Sequence, residues 1–141
     1  MTPAEEDFSY TLERDLKSLD ALRESIATYL RERALDERTV AIVELCCYEA
    51  VANIIEHSQP SDVDNRILVR CSLRDNRRVR CEISHCGPEF DLTQAPMPDI
   101  RQHFKQGKNQ GLGIYMIRTL MNEVAFTHER GRNTLVITKN L

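Results

Sequence analysis

Residues 67–83 alternate apolar and polar side chains on both sides of one short polar turn, "RDNR". Ile67, Val69, Cys71 and Leu73 lie on the first arm, and Val79, Cys81 and Ile83 on the second. A period of two puts these residues on one face, and so short a turn makes the arms antiparallel neighbours. A lone hairpin is marginal in water, so that apolar face has to be covered. The rest of the chain supplies the cover. Leu16, Leu19, Leu22, Ile26, Tyr29 and Leu30 fall at helical spacing within residues 15–33. Asp36 can cap a second helix running to about His57, where "SQPSDVDN" breaks the pattern. Phe8, Tyr10 and Leu12 read as a half-buried strand before both helices. Beyond the hairpin, residues 86–111 are rich in Pro, Gly and Gln and show little periodicity. A loop of that length inside a compact domain points to function. "GLGIYMIRTLMNEV" then opens a third helix with Ile114, Ile117, Leu120 and Met121 on its apolar face. "EVAFTH" and "NTLVIT" finish the chain as strands around a turn at Gly131. This order predicts an α/β fold, a two-layer sandwich with a mixed, mostly antiparallel sheet and helices on one face. One domain over residues 1–141 is expected, without repeats or linkers.

Composition excludes several classes. Lys and Arg number 19 against 22 Asp and Glu, a net charge of −3, which argues against a general nucleic-acid or anionic-membrane binder. No apolar run approaches the roughly 20 residues that span a bilayer. The N-terminus, "MTPAEEDFSY", has neither the basic segment nor the apolar run of a signal peptide, so a cytoplasmic location is expected. Five cysteines, none in a CxxC pair, suggest no disulfide framework. Cys71 and Cys81 read as small hydrophobes on strands, and Cys46 and Cys47 point in different directions on a helix. His85 and Cys86 lack a second ligand pair at zinc spacing.

The second helix carries an anomaly. In "CYEAVANIIEH", Glu49, Asn53 and His57 are spaced by four and share one stripe, flanked by Ala50, Val51, Ile54 and Ile55. A buried polar group without a partner costs on the order of 1–3 kcal/mol. Such a row either satisfies itself and the backbone or faces a ligand. Singly, Glu49 reads as a cap or an ion-pair partner and Asn53 as a satisfied core amide. His57 stands open between a helix-end hydrogen bond and a site role. Two further segments accompany the stripe. "ISHCGPEFD", residues 83–91, ends a strand in a turn at Gly87-Pro88. "GLG", residues 111–113, leads straight into a helix, whose N-terminal N–H groups suit an anion such as phosphate.

Together the three segments resemble the gyrase and histidine-kinase type of ATP-binding fold, and within it the anti-sigma factor serine kinases of bacterial partner-switching systems. "YEAVANIIEH", "HCGPEFD", "GLGIYMIRTLMNEV" and "TLVITK" are similar to that family's successive boxes, and the resemblance runs from the first strand to the last. It implies ATP and Mg²⁺ as cofactors. Asn53 would be the Mg²⁺ ligand and Glu49 the general base that takes the proton of an attacking serine. Gly111, Leu112 and Gly113 would meet the phosphates, with Lys105 or Lys108 in a lid as cations. His57, His85, Gly87 and Thr134 would border the nucleotide. The implied partners are a small anti-sigma factor antagonist phosphorylated on serine, a sigma factor, and a second copy of the chain in a homodimer. No direct nucleic-acid or membrane partner is implied.

One position departs from that pattern. His85 stands where the family has the Asp that accepts a hydrogen bond from the adenine amino group, and Asp91 lies too far on to replace it. Losing a charged acceptor costs about 1.5–3 kcal/mol of affinity. A neutral imidazole can still accept, and an unperturbed one titrates near about 6.5, so base reading by His85 is expected to weaken below that pH. Asn122 also stands where the family often has Asp. The alternative reading is a partner-switching module of the same fold with weakened or absent nucleotide chemistry. A sensor-kinase domain that phosphorylates histidine fits less well, because the chain is short and shows no dimerisation helices with a phosphoacceptor His.

Overall fold

The computed structural model describes residues 6–75, 77–94 and 112–141. Its elements are β1 (Phe8–Leu12), α1 (Leu19–Glu32), α2 (Glu37–His57), β2 (Ile67–Arg74), β3 (Arg78–Cys86), α3 (Leu112–Leu120), β4 (Glu123–Glu129) and β5 (Arg132–Asn140). The sheet runs β1-β2-β3-β5-β4. Every pairing in it is antiparallel, which corrects the expected mixed sheet. The reason is topological. Two helices between β1 and β2 return the chain to the neighbouring position with its direction reversed. The crossover after β3 does make β4 parallel to β3, but β5 inserts between them, so no parallel pair touches.

The expected alternation holds. Val69 and Cys71 of β2, Val79, Cys81 and Ile83 of β3, and Leu135 and Ile137 of β5 are buried on one face. They join Leu22, Ile26 and Leu30 of α1, Val43, Cys47 and Val51 of α2, and Ile117 of α3 in a single core cluster. Helix starts and stops have local causes. Asp15 accepts from the Lys17 N–H at 2.9 Å and sets a short 3-10 turn, so α1 begins at Leu19, later than the spacing predicts. Asp36 caps α2 by accepting from Thr39 N–H at 2.7 Å. At the other end Ser58 donates to the Ile54 carbonyl, and Arg14 donates to both the Ser58 hydroxyl and its carbonyl. α3 stops at Leu120, inside the segment expected to be helical, because Asn122 turns to the sheet. Its N–H donates to the Thr138 carbonyl and its Oδ1 accepts from Asn140 N–H, both at 2.8 Å.

α1 ends on Ala34 at φ 61°, with Leu35 N–H returning to the Leu30 carbonyl at 3.4 Å. This left-handed helix end favours glycine, and Ala34 is exposed. Ala34→Gly is therefore expected to stabilise the fold by about 0.5–1 kcal/mol. Urea unfolding reads the change, and an unaltered or lower midpoint contradicts it.

Candidate nucleotide and phosphotransfer site

α2 presents Glu49 and Asn53 one turn apart, and α3 brings its first turn against them. A Cβ built on Gly113 would lie 2.6 Å from Glu49 Oε2, 3.0 Å from Asn53 Nδ2 and 3.3 Å from Glu49 Cβ. A side chain at position 113 would push the Glu49 carboxylate aside and crowd the Asn53 amide, so glycine leaves both groups where they stand. The Asn53 amide donates to the Glu49 carbonyl at 2.7 Å. That bond orients the carboxamide and leaves Oδ1 as an acceptor with no hydrogen bond among the described residues. Burial raises the Glu49 carboxyl above its usual value; the charge of Glu56 adds to this and Arg23 opposes it. A half-buried carboxylate with raised proton affinity, held beside a helix N-terminus, is suited to accept a proton.

His57, one turn beyond Asn53, is exposed, and its Nε2 lies 3.7 Å from Glu56 Oε2. The stripe therefore splits: Glu49 and Asn53 meet α3, whereas His57 turns to its neighbour. Of the "GLG" segment, Leu112 begins α3 and Gly113 packs as above. Gly111, Lys105 and Lys108 lie outside the described residues, as does the rest of residues 95–111.

The second cluster forms at the end of β3. His85 is 3% exposed, and its buried Nδ1 makes no well-formed hydrogen bond. Its ring meets Phe90 edge-on, with centroids 6.2 Å apart. Burial lowers its pKa to about 4; a backbone contact at Cys86 opposes this, and the charges of Arg14, Arg132 and His128 add to the lowering. The imidazole is therefore neutral well below pH 6.5, which corrects the expectation that it titrates near its ordinary value. Gly87 follows at φ 140°, and a Cβ there would stand 3.1 Å from the Gln59 carbonyl oxygen, so the turn requires glycine.

Asn133, which the sequence reading passed over, holds this turn in place. It is 1% exposed. Its Nδ2 donates to the Pro88 carbonyl at 3.0 Å, and its Oδ1 accepts from Phe90 N–H at 2.8 Å. His128 Nε2 lies 3.1 Å from the Gly87 carbonyl oxygen. Asn133 pairs with His85 across the sheet, whereas Thr134 pairs with Ser84. Strand alternation thus puts Asn133 on the His85 face and Thr134 on the opposite one, so the fold does not bring Thr134 to the cluster. The period-two pattern Asn133, Leu135, Ile137 was the signal that could have found it. Among the described residues, His85, Ile54, Phe90, Leu92 and Phe126 line a gap of about 10 Å³, room for a single water.

Among the described residues no helix is long and apolar enough to cross a membrane. Residues 12–139 match the family model of the histidine kinase-like ATPase domain. Serine-protein kinases RsbW of Bacillus thuringiensis and Bacillus anthracis are 28% identical over 109 residues, covering 74% of this chain. The chain spans 63% of the length of those relatives. Among solved structures, the RsbU and RsbW domains of a Mycobacterium tuberculosis protein superpose with a TM-score of 0.70 at 21% identity, over 95% of this chain and 32% of that one. The SiaB-SiaC complex of Pseudomonas aeruginosa gives 0.69 at 12% identity, over 93% of this chain and 88% of that one. With residues 12–139 of 141 matched, the chain belongs to the histidine kinase-like ATPase domain family.

Proposed function

We propose that this chain is an ATP-dependent protein serine kinase of the partner-switching kind. It phosphorylates a serine on a small anti-sigma factor antagonist, sequesters a sigma factor, and works in the cytoplasm as a single domain that pairs with a second copy. The observation that carries the reading is the approach of Gly113 to Glu49 and Asn53, which brings a proton acceptor, an amide oxygen and a helix N-terminus into one place. Glu49 takes the proton of the attacking serine hydroxyl. The serine oxygen bonds to the γ-phosphorus of ATP, and ADP departs with the electrons of the broken P–O bond. Asn53 Oδ1 would hold Mg²⁺, a hard cation that otherwise keeps waters and phosphate oxygens. Bound there, the ion supplies neutralisation of phosphate charge. Gly111, Leu112, Gly113 and Lys108 are assigned to the phosphates, and Gly87 and His85 to the base. His57 and Thr134, placed outward and on the far sheet face, support this reading least.

Asn53→Ala should weaken Mg·ATP binding while partner binding stays nearly unchanged. Nucleotide titration beside a pull-down of the antagonist reads both halves, and unchanged Mg·ATP affinity in a folded variant contradicts the ligand assignment. A second reading, a partner-switching module without nucleotide chemistry, is favoured by one observation. The His85 cluster leaves only about 10 Å³, so a purine ring would have to displace Phe90 or its neighbours. Incubation with labelled ATP and antagonist separates the two: phosphoserine supports the kinase, and partner binding without phosphoserine supports the module.

A further inference from the structure

Three of the five cysteines, which the sequence scatters over a helix and two strands, meet in the core. The Sγ atoms of Cys47 on α2, Cys71 on β2 and Cys81 on β3 all lie within 4.8 Å of one another. Cys71 and Cys81 are directly paired residues whose sulfurs stand 3.0 Å apart. None of the three is more than 1% exposed. Among the described residues no histidine or carboxylate joins the group. Three sulfurs bound to one pyramidal centre at about 2.3 Å, a length like that of a zinc–thiolate bond, stand roughly 3.4 Å apart, within the range these side chains already span.

The chemistry of the cluster narrows what it can take. A ligand has to be small, bind through sulfur alone and leave no charge behind in the apolar core. Three thiolates around a divalent ion leave a net negative charge, and around monovalent copper a larger one. Three thiolates around a trivalent centre are neutral. We propose that Cys47, Cys71 and Cys81 form a capture site for arsenous acid, As(OH)₃. Three As–OH bonds and three S–H bonds break, three As–S bonds form, and each thiol proton leaves with a hydroxyl as water. No oxidation state changes, so no oxidant or reductant is required. The hydrogen bonds the three thiols share, together with their burial, hold all three well above their usual range, so the proton passes from thiol to departing hydroxyl without a free thiolate. Occupancy pins α2 to the β2–β3 hairpin, two residues before Glu49. The site stands apart from the nucleotide reading and holds whether or not the chain is a kinase.

The test titrates the folded, phosphine-reduced chain with sodium arsenite. Native mass spectrometry should show one arsenic retained per chain, and arsenic-edge X-ray absorption should show three sulfur neighbours and no oxygen. Arsenite should raise the thermal midpoint of the unaltered chain. Cys47→Ala and Cys71→Ala, checked for folding by circular dichroism, should each lose retention, whereas Cys46→Ala and Cys86→Ala should keep it. Zinc chloride in place of arsenite should not be retained. The proposal is overturned by absence of arsenic on the folded unaltered chain, by oxygen neighbours at the arsenic, or by equal retention in Cys47→Ala and Cys71→Ala. Retained zinc, or loss of two hydrogens in place of bound arsenic (a Cys71–Cys81 disulfide), overturns it as well.

Discussion

Glu49→Gln is expected to slow phosphotransfer to the antagonist serine by about 10²–10⁴-fold, the usual worth of a positioned general base. The substitution keeps the length of the side chain beside Gly113 and removes only its basicity. It also removes the burial cost and the Glu56 repulsion that raise the Glu49 carboxyl. The folded variant should therefore be at least as stable as the unaltered chain in urea, and Mg·ATP affinity should change little. A slow, stable, nucleotide-binding variant is the signature of a lost base, because a structural role for Glu49 would lower stability along with rate. Turnover equal to that of the unaltered chain would remove Glu49 from the mechanism.

His85→Asp is expected to move two quantities in opposite directions. In the empty fold it buries a carboxylate where Nδ1 already lacks a well-formed hydrogen bond, so stability should fall by about 1–3 kcal/mol. With nucleotide present the carboxylate accepts from the adenine amino group, and affinity should rise by roughly one to two powers of ten. The pH dependence separates imidazole from carboxylate. His85 has a folded pKa near 4, below the ordinary value of an unfolded histidine. The unfolded chain therefore binds more protons at this residue between about pH 6.5 and 4, and its contribution to stability, full above that window, is lost as the pH falls through it. Replacement by Gln abolishes this part of the acid sensitivity, and comparing the two urea-unfolding profiles isolates it from the carboxylates. Base reading by the neutral ring should likewise persist down to about pH 4. If His85→Asp loses stability without gaining affinity for ADP or ATP, no adenine sits at this position, and the module without nucleotide chemistry gains ground.

The fold was legible because its signals are local. Period-two runs at Ile67–Leu73 and Val79–Ile83, the Asp36 cap and the turn at Gly131 each decide an element without help from distant residues. The all-antiparallel sheet was not legible, since the insertion of β5 between β3 and β4 is a global choice. The site was read in the same uneven way. Helical spacing places Glu49 beside Asn53, and their contact with Gly113 follows once α3 docks. That same spacing also nominated His57, which the end of α2 exposes. Thr134 and Asn133 are adjacent in sequence and opposite in space, and only the register to Ser84 and His85 tells them apart. The burial that takes the His85 pKa from about 6.5 to about 4 is likewise a property of the packed turn. The convergence of Cys47 with Cys71 and Cys81 depends on how α2 lies across the hairpin, which no spacing reveals.

Isothermal titration of Mg·ATP into the unaltered chain tests the central claim most directly. A kinase site built on Glu49, Asn53 and Gly113 predicts saturable binding at one nucleotide per chain, weakened by EDTA and by Asn53→Ala. A chain that is folded, binds its antagonist and yet takes up no nucleotide would contradict it.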